Sequence, residues 1–456
     1  MLGGVALAVV ALAVYLVTRA DRFYDHFVWQ AAAFLEGMAG IRYPVADTTT
    51  RLGNWFFQDV LPIATSDGVP RALIPFPPLP AILLVPFVAV FGLTVDDQTI
   101  FTVLAAIDVG LCWWMLGRLD VRPVVRVGTT MFFAFGTAFW YTAQVATTWY
   151  QAHIVAVGLL LLAVGLALGG DGAQAGRDAA ATPASGDRRR RYLGVDPLAL
   201  TIGLPVGLAT TARLPVVFAL PFFVLVGPAD PARRARSVVL GAGIPVVALL
   251  AFNVASSGQP IHPAYDHLYQ LEARAYPGLG YHPEWAAEDP RYLPQNLGIM
   301  FLTGPEIMPD RLRDTLGTID RPLCTEPGAS RGLFDVDCPI AVPRDIGMSV
   351  LLGSPAFLLI GATPLGGRRR RVVIGAASAV LLISVIDLMH FSQGWVQFGY
   401  RFSNDVLPFA LVLVAIGFDR LVDGGRRWAM PLAVALVVAS IAVNFWGVAW
   451  SRILGW

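Results

Sequence analysis

Hydrophobic residues in this chain come in long unbroken runs, and the polar residues are gathered between them. Several runs approach the roughly 20 residues that cross a bilayer as a helix. Lipid offers no water to pair exposed backbone groups, so a spanning segment is either a helix or a strand of a closed barrel. The two-residue alternation of barrel strands is missing, which leaves helices. The pattern predicts an all-α polytopic membrane protein, one transmembrane domain over residues 1–456 with about eleven membrane-spanning helices. These fall near 2–18, 98–117, 127–145, 152–169, 197–211, 214–227, 237–254, 346–362, 372–390, 405–419 and 429–448. The first run has no basic region before it and no small-residue cleavage site after it, so it reads as an uncleaved span rather than a signal peptide.

The basic residues orient these spans. All 33 are Arg, and more than half lie in five short segments. The segments are Arg118, Arg122 and Arg126; Arg177 and Arg188 to Arg191; Arg233, Arg234 and Arg236; Arg368 to Arg371; and Arg420, Arg426 and Arg427. Arg in short loops resists translocation, so all five are expected in the cytoplasm. The intervening segments 146–151, 255–345 and 391–404 are then external. The linker at 170–196, small, polar and ending in an Arg run, reads as an unstructured cytoplasmic loop.

Residues 79–92 are apolar but contain Pro80 and Pro86. As a helix they cover about 21 Å, short of the ~30 Å hydrocarbon core. They read as an interfacial or re-entrant helix, which makes 19–97 one external loop with juxtamembrane helices. The rival reading makes them a true span and puts 19–78 in the cytoplasm, and Arg19 and Arg22 directly after the first run speak for it.

Composition adds little about partners. The net charge of +1 selects no acidic partner and gives no sign of nucleic-acid binding. The absence of Lys beside abundant Ala, Gly, Val and Pro points to a GC-rich bacterial genome. Cys324 and Cys338 lie in the large external segment, whereas Cys112 is inside a span. A disulfide between the first two would close a loop of about 15 residues and contribute roughly 3 kcal/mol. Two free thiols are the alternative, and neither reading makes them catalytic.

The stretch DRFYDHFVWQAAAFLEG, residues 21–37, puts two aspartates and a histidine where the chain leaves its first apolar run. At helical spacing Phe27, Ala31, Phe34 and Leu35 can lie on a membrane surface while Asp21 and Asp25 share another face. Here the chain resembles the GT-C glycosyltransferases, most closely the branch of protein O-mannosyltransferases and lipid A aminoarabinose transferases. Asp25, Trp29, Ala32 and Gly37 occupy the places of that family's juxtamembrane helix. RALIPFPPLPAILLVPFVAVFG, residues 71–92, looks like its Pro-Pro-Leu segment and interfacial helix. WVQFGYRFSNDVLPF, residues 395–409, is similar to its Gly-Tyr-Arg and Asp-x-x-Pro signature.

The resemblance implies an inverting transferase on the external face of a bacterial plasma membrane. Such an enzyme moves a mannose- or arabinose-class sugar from a polyprenyl-phosphate donor to a glycolipid, glycan or protein acceptor. The acceptor hydroxyl must lose a proton, which gives Asp25 the role of general base with Asp21 as the alternative. The departing phosphate needs positive donors, for which Arg401 and Arg213 with Tyr400 and His26 are the candidates. His262, Tyr265 and His267 form a surface suited to the acceptor.

Each assignment has a plain structural counterpart. Asp25 reads equally as a helix N-cap, Arg213 as half of an interhelical ion pair, and Arg401 as a lipid-headgroup anchor. A second acidic residue that several family members use to hold a metal is missing from ATTWYQAH, residues 146–153. The expectation is an enzyme without cofactor, with a divalent metal the less favoured option and His153 structural. Glu36, Asp59 and Asp67 are acids of a kind common in soluble loops and carry no assignment. The competing reading is a transporter or lipid flippase. Against it, no internal repeat is visible, and few ionisable residues fall within spans, chiefly Asp108, Arg213 and Asp387.

Overall fold

The computed structural model describes residues 2–456 except 22–23, 48–52, 66, 181–193, 276–281, 283, 316, 318, 393 and 395. The chain is mostly helical. Five helices are long and apolar enough to cross a membrane: Asp97–Leu116, Thr148–Gly172, Pro231–Ser257, Arg370–Met389 and Ala429–Leu454. Their outward faces keep large apolar side chains exposed, Ile107, Val247, Leu381 and Val438 among them. Surfaces of this kind belong in lipid, and the protein is a helical membrane protein.

Other apolar runs make shorter or broken helices, and proline explains several breaks. The run at 214–227 is a 3₁₀ stretch, Leu214–Ala219, followed by the helix Leu220–Leu225. Pro215 and Pro221 each sit in a first turn, where a missing N–H costs nothing. The run at 346–362 divides into Val350–Gly353 and the 3₁₀ stretch Pro355–Ala362, because Pro355 pushes Ser354 out of helical conformation. The run at 127–145 divides into Pro123–Phe135 and Phe139–Val145. The helix Thr148–Ala180 runs on through the first part of the linker expected to be unstructured. Residues 181–193 of that linker, Arg188 to Arg191 included, lie outside the described residues.

The helix Leu407–Asp423 is the central staff of the bundle, with every residue from Leu407 to Phe418 buried. Elsewhere in the bundle, Pro197–Thr210 packs against Pro231–Ser257 through glycines. A Cβ at Gly207 would collide with the Ala242 backbone, and one at Gly241 with the Leu200 carbonyl. Small residues let the two backbones approach closely, as lipid-embedded helices require.

The segment 19–97 begins and ends at the same end of the bundle. Arg19 Nη1 lies 2.9 Å from Asp96 Oδ2, and Gln98 Nε2 donates to the Ala20 carbonyl at 3.0 Å. A chain that leaves and returns at one end makes no net crossing, so the helix Leu79–Phe91 is not a span. The Arg19 charge is neutralised by Asp96 and by Asp21, 3.3 Å away. Within the segment a three-stranded antiparallel sheet has the order Ile41–Arg42, Arg71–Leu73, Leu61–Ile63, pairing Ile41 with Ala72 and Leu61 with Leu73. The segment 255–345 carries two small ribbons and a Cys324–Cys338 disulfide. At the opposite end of the bundle two of the arginine segments meet. Arg122 and Arg369 both reach Asp419, at 3.3 and 3.6 Å.

Gly207→Val should destabilise the protein by about 1 to 3 kcal/mol, the usual cost of overpacking against backbone that cannot yield. Thermal unfolding in detergent measures this, and an unchanged midpoint would show that the two helices can separate freely.

Candidate functional site

A cavity of about 360 Å³ opens where the polar segments converge, at the end of the bundle away from the arginine cluster. Its walls come from across the sequence: Tyr24, Asp59, Phe76, Thr148 to Tyr150, Arg213, Tyr265, His390, Arg401 and Trp456. Local backbone features deliver these side chains. Ala146 adopts a left-handed conformation, φ 41°, and separates the helix Phe139–Val145 from the one beginning at Thr148. Thr147, Thr148, Trp149 and Tyr150 thereby reach the cavity. Gly394 has φ 82°, and a Cβ there would lie 2.9 Å from Arg401 Nε, so the guanidinium lies against bare backbone.

The charges fall into two sets. Arg213 makes a two-point contact with Asp405, Nη2 to Oδ2 at 2.6 Å and Nε to Oδ2 at 3.0 Å. His153 Nδ1 is 2.8 Å from Asp405 Oδ1, and Asp387 lies 3.9 Å from Arg213 Nη2. Asp405 and His153 are fully buried. In such a place either charge alone would be prohibitive, and the fork-shaped pairing is what makes the cluster tolerable.

Arg401 is different. It is 9% exposed, it lines the cavity, and its Nε has no hydrogen-bond partner among the described residues. No carboxylate pairs with it among them either. Its cation lies 5.5 Å from the Tyr150 ring centroid and 5.4 Å from that of Phe402. Two aromatic faces steady a cation without neutralising it. An almost buried guanidinium with aromatic neighbours and no counter-ion among the described residues can accept an anion.

The second set is a histidine–aspartate pair. His26 Nε2 lies 2.6 Å from Asp59 Oδ1, and Nδ1 lies 3.0 Å from Thr148 Oγ1. The ring is stacked on Phe57 with centroids 3.7 Å apart. One carboxylate oxygen of Asp59 is held in this way, while Oδ2 has no partner among the described residues. Asp59 is thus a fixed carboxylate on the cavity wall with hydrogen-bonding capacity to spare.

The residues singled out from the sequence are only partly united here. Arg213, Arg401 and Tyr265 line the cavity, and His26 stands directly behind Asp59. Asp25 is not on the wall. It begins the helix His26–Leu35 but makes no side-chain cap, and its Oδ1 is buried without a partner among the described residues. Burial, and then the nearby charge of Asp97, push its carboxyl up from 3.8 to about 8, so it holds a proton at neutral pH. Asp21 is 89% exposed and paired with Arg19. Tyr400 is buried behind the wall with Ile299, Met300, Leu388 and Phe402. His262 accepts from the Ala264 N–H at 3.3 Å, and neither it nor His267 reaches the cavity. Burial raises Tyr265 to about 12, so it remains a neutral phenol.

The cavity carboxylate that sequence reasoning passed over is Asp59. Glu36 and Asp67, grouped with it by composition, instead flank the buried Arg71 at 3.5 Å each. The only sequence signal that separates Asp59 is its setting in NWFFQDV, a short aromatic run amid polar loop. Among the described residues no three His, Cys, Asp or Glu side chains lie together as metal ligands. Asp405 and Asp59 are each engaged with a nitrogen partner instead. No protein-family model matches the chain, nor does any curated protein or solved structure. Chemically, the cavity combines an unpaired cation, a carboxylate and aromatic walls, a set that can hold an anionic group beside a sugar ring and accept a proton from a hydroxyl.

Because the folded state raises the Asp25 carboxyl, this group's contribution to stability is complete below about pH 4 and is lost as pH rises through about 8. Asp25→Asn removes that loss. The melting temperature of the variant relative to the parent should therefore rise between pH 5 and pH 8.5, and a difference independent of pH would contradict a buried, protonated Asp25.

Proposed function

We propose that the protein is an inverting glycosyltransferase that takes a sugar from a polyprenyl-phosphate carrier. The acceptor is a hydroxyl on a glycolipid, glycan or protein, and the reaction takes place at the external face of a bacterial plasma membrane. In this reading the chain has the GT-C architecture, with about eleven crossings when the shorter apolar helices are counted with the long ones. The observation that carries it is Arg401, an almost buried cation without a counter-ion among the described residues, in an aromatic cavity at the end of an apolar bundle. A lipid-linked phosphate keeps its tail beside the helices and brings its charge to that depth.

The roles follow from position. The acceptor oxygen attacks the anomeric carbon as the bond from that carbon to the phosphate oxygen breaks. Arg401 holds the phosphate as negative charge builds on it, and Arg213, fixed by Asp405, stands on the same wall. Asp59 takes the acceptor proton, held in place by His26. It replaces Asp25 in that role, since Asp25 does not line the cavity. The aromatic rings of Trp149, Tyr150 and Tyr265 offer faces to the sugar and acceptor.

The test uses the reconstituted full chain with a radiolabelled polyprenyl-phosphate sugar. Arg401→Ala should weaken donor binding tenfold or more, with Arg401→Lys intermediate because it keeps the charge but loses the planar fork. Asp59→Asn should leave donor binding near normal and reduce transfer by about 10²-fold or more, the usual weight of a general base. A flippase for the same lipid would share the phosphate site but move no sugar to an acceptor, so donor binding without label transfer by the parent protein would sink the transferase reading, and full transfer by Asp59→Asn would remove Asp59 as the base.

A further inference from the structure

The segment 255–345 leans on the side of the helix Ala429–Leu454 rather than capping it. Leu312, Leu323 and Val342 form a buried cluster with Trp450 of that helix, and Trp450 Nε1 donates to the Leu333 carbonyl at 3.1 Å. Phe334 reaches further back along the helix, its ring centroid 6.1 Å from that of Phe445. The depth of this contact can be read from helix rise. Phe445 lies 16 residues beyond Ala429, about 24 Å along the axis at 1.5 Å per residue. Trp428, half exposed beside Arg426 and Arg427, marks the interface at the start of the helix. Trp450 comes 22 residues later, about 33 Å away, which matches a second interface across a ~30 Å hydrocarbon layer. Phe445 and the Phe334 ring beside it are thus level with acyl chains, at the end of the bundle where Gly455 and Trp456 line the cavity.

The neighbours of Phe334 are apolar and open. Leu333 is 50% exposed, Phe334 41%, Ile307 62%, Met308 60% and Ile340 39%. They belong to one tip. The Met308 N–H donates to the Ile340 carbonyl at 2.8 Å, and Arg331 Nη1 ties the Pro309 and Pro339 carbonyls at 3.0 and 2.9 Å. Asp335 is turned back on the Asp337 and Cys338 amides, at 2.9 and 3.1 Å. Held in water, such a tip would cost about 25 cal/mol for every Å² of apolar surface. Held against Phe445, it continues the lipid-facing surface of the helix.

We propose that the tip formed by Ile307, Met308, Leu333, Phe334 and Ile340 is immersed in the acyl layer at the cavity end of the bundle, so that the disulfide-closed loop is anchored by lipid. This is independent of the chemistry assigned to the cavity. It is tested on the full chain in lipid nanodiscs, with single cysteines introduced by Phe334→Cys, Met308→Cys and Glu326→Cys and labelled with a nitroxide. Of the native cysteines, Cys324 and Cys338 are oxidised to a disulfide and Cys112 is buried, so the introduced thiol takes the label. Labels at 334 and 308 should collide with oxygen in preference to a water-soluble nickel chelate, with a ratio several-fold above that at exposed position 326. Equal ratios at all three positions would overturn the proposal. Met308→Cys guards against a folding defect at Phe334, since Met308 is 60% exposed and removes little packing.

Discussion

The pairing of Arg213 with Asp405 is the constraint on which the cavity depends. Neither charge survives alone among fully buried side chains, so the turn after Pro197–Thr210 and the start of the central helix must meet. Asp405 then recruits His153 from a third helix, and three elements distant in sequence are fixed in one corner. Because Asp405 is committed to Arg213, it is not available to neutralise Arg401 four residues earlier. The unpaired cation is thus a consequence of the pair beside it.

The same logic separates two aspartates that a sequence presents as equals. Asp25 and Asp59 both sit in the polar segment after the first helix. Asp59 meets an imidazole held on its far side by Thr148, and that nitrogen gives one oxygen a fixed partner. Asp25 meets no such group and lies close to Asp97, so burial favours its neutral form. Chemical role here follows from the partner each carboxyl finds.

The two ends of the bundle divide the polar work. One end brings Arg122 and Arg369 to Asp419, where charges are screened by water and by each other. The other end gathers aromatic and polar loops around a cavity. The apolar helices between them insulate one from the other, and the loop leaning on Ala429–Leu454 extends that apolar wall beyond the helices.

The sequence by itself determined the helical membrane class, because a bilayer permits few backbone structures and the apolar runs declare themselves by length. It also marked Arg213, since a charge amid apolar residues needs a partner or a ligand, and Arg401, through the Gly-Tyr-Arg pattern at the start of an apolar run. It located the broken runs less well: proline stops at 214–227 and 346–362 turn nominal spans into short helical pieces. The neighbours of each charge are set by contacts between residues hundreds of positions apart, which no local pattern encodes. Only the folded chain decided that Asp405 belongs to Arg213, that Asp59 rather than Asp25 faces the cavity, and that Arg401 has no counter-ion among the described residues.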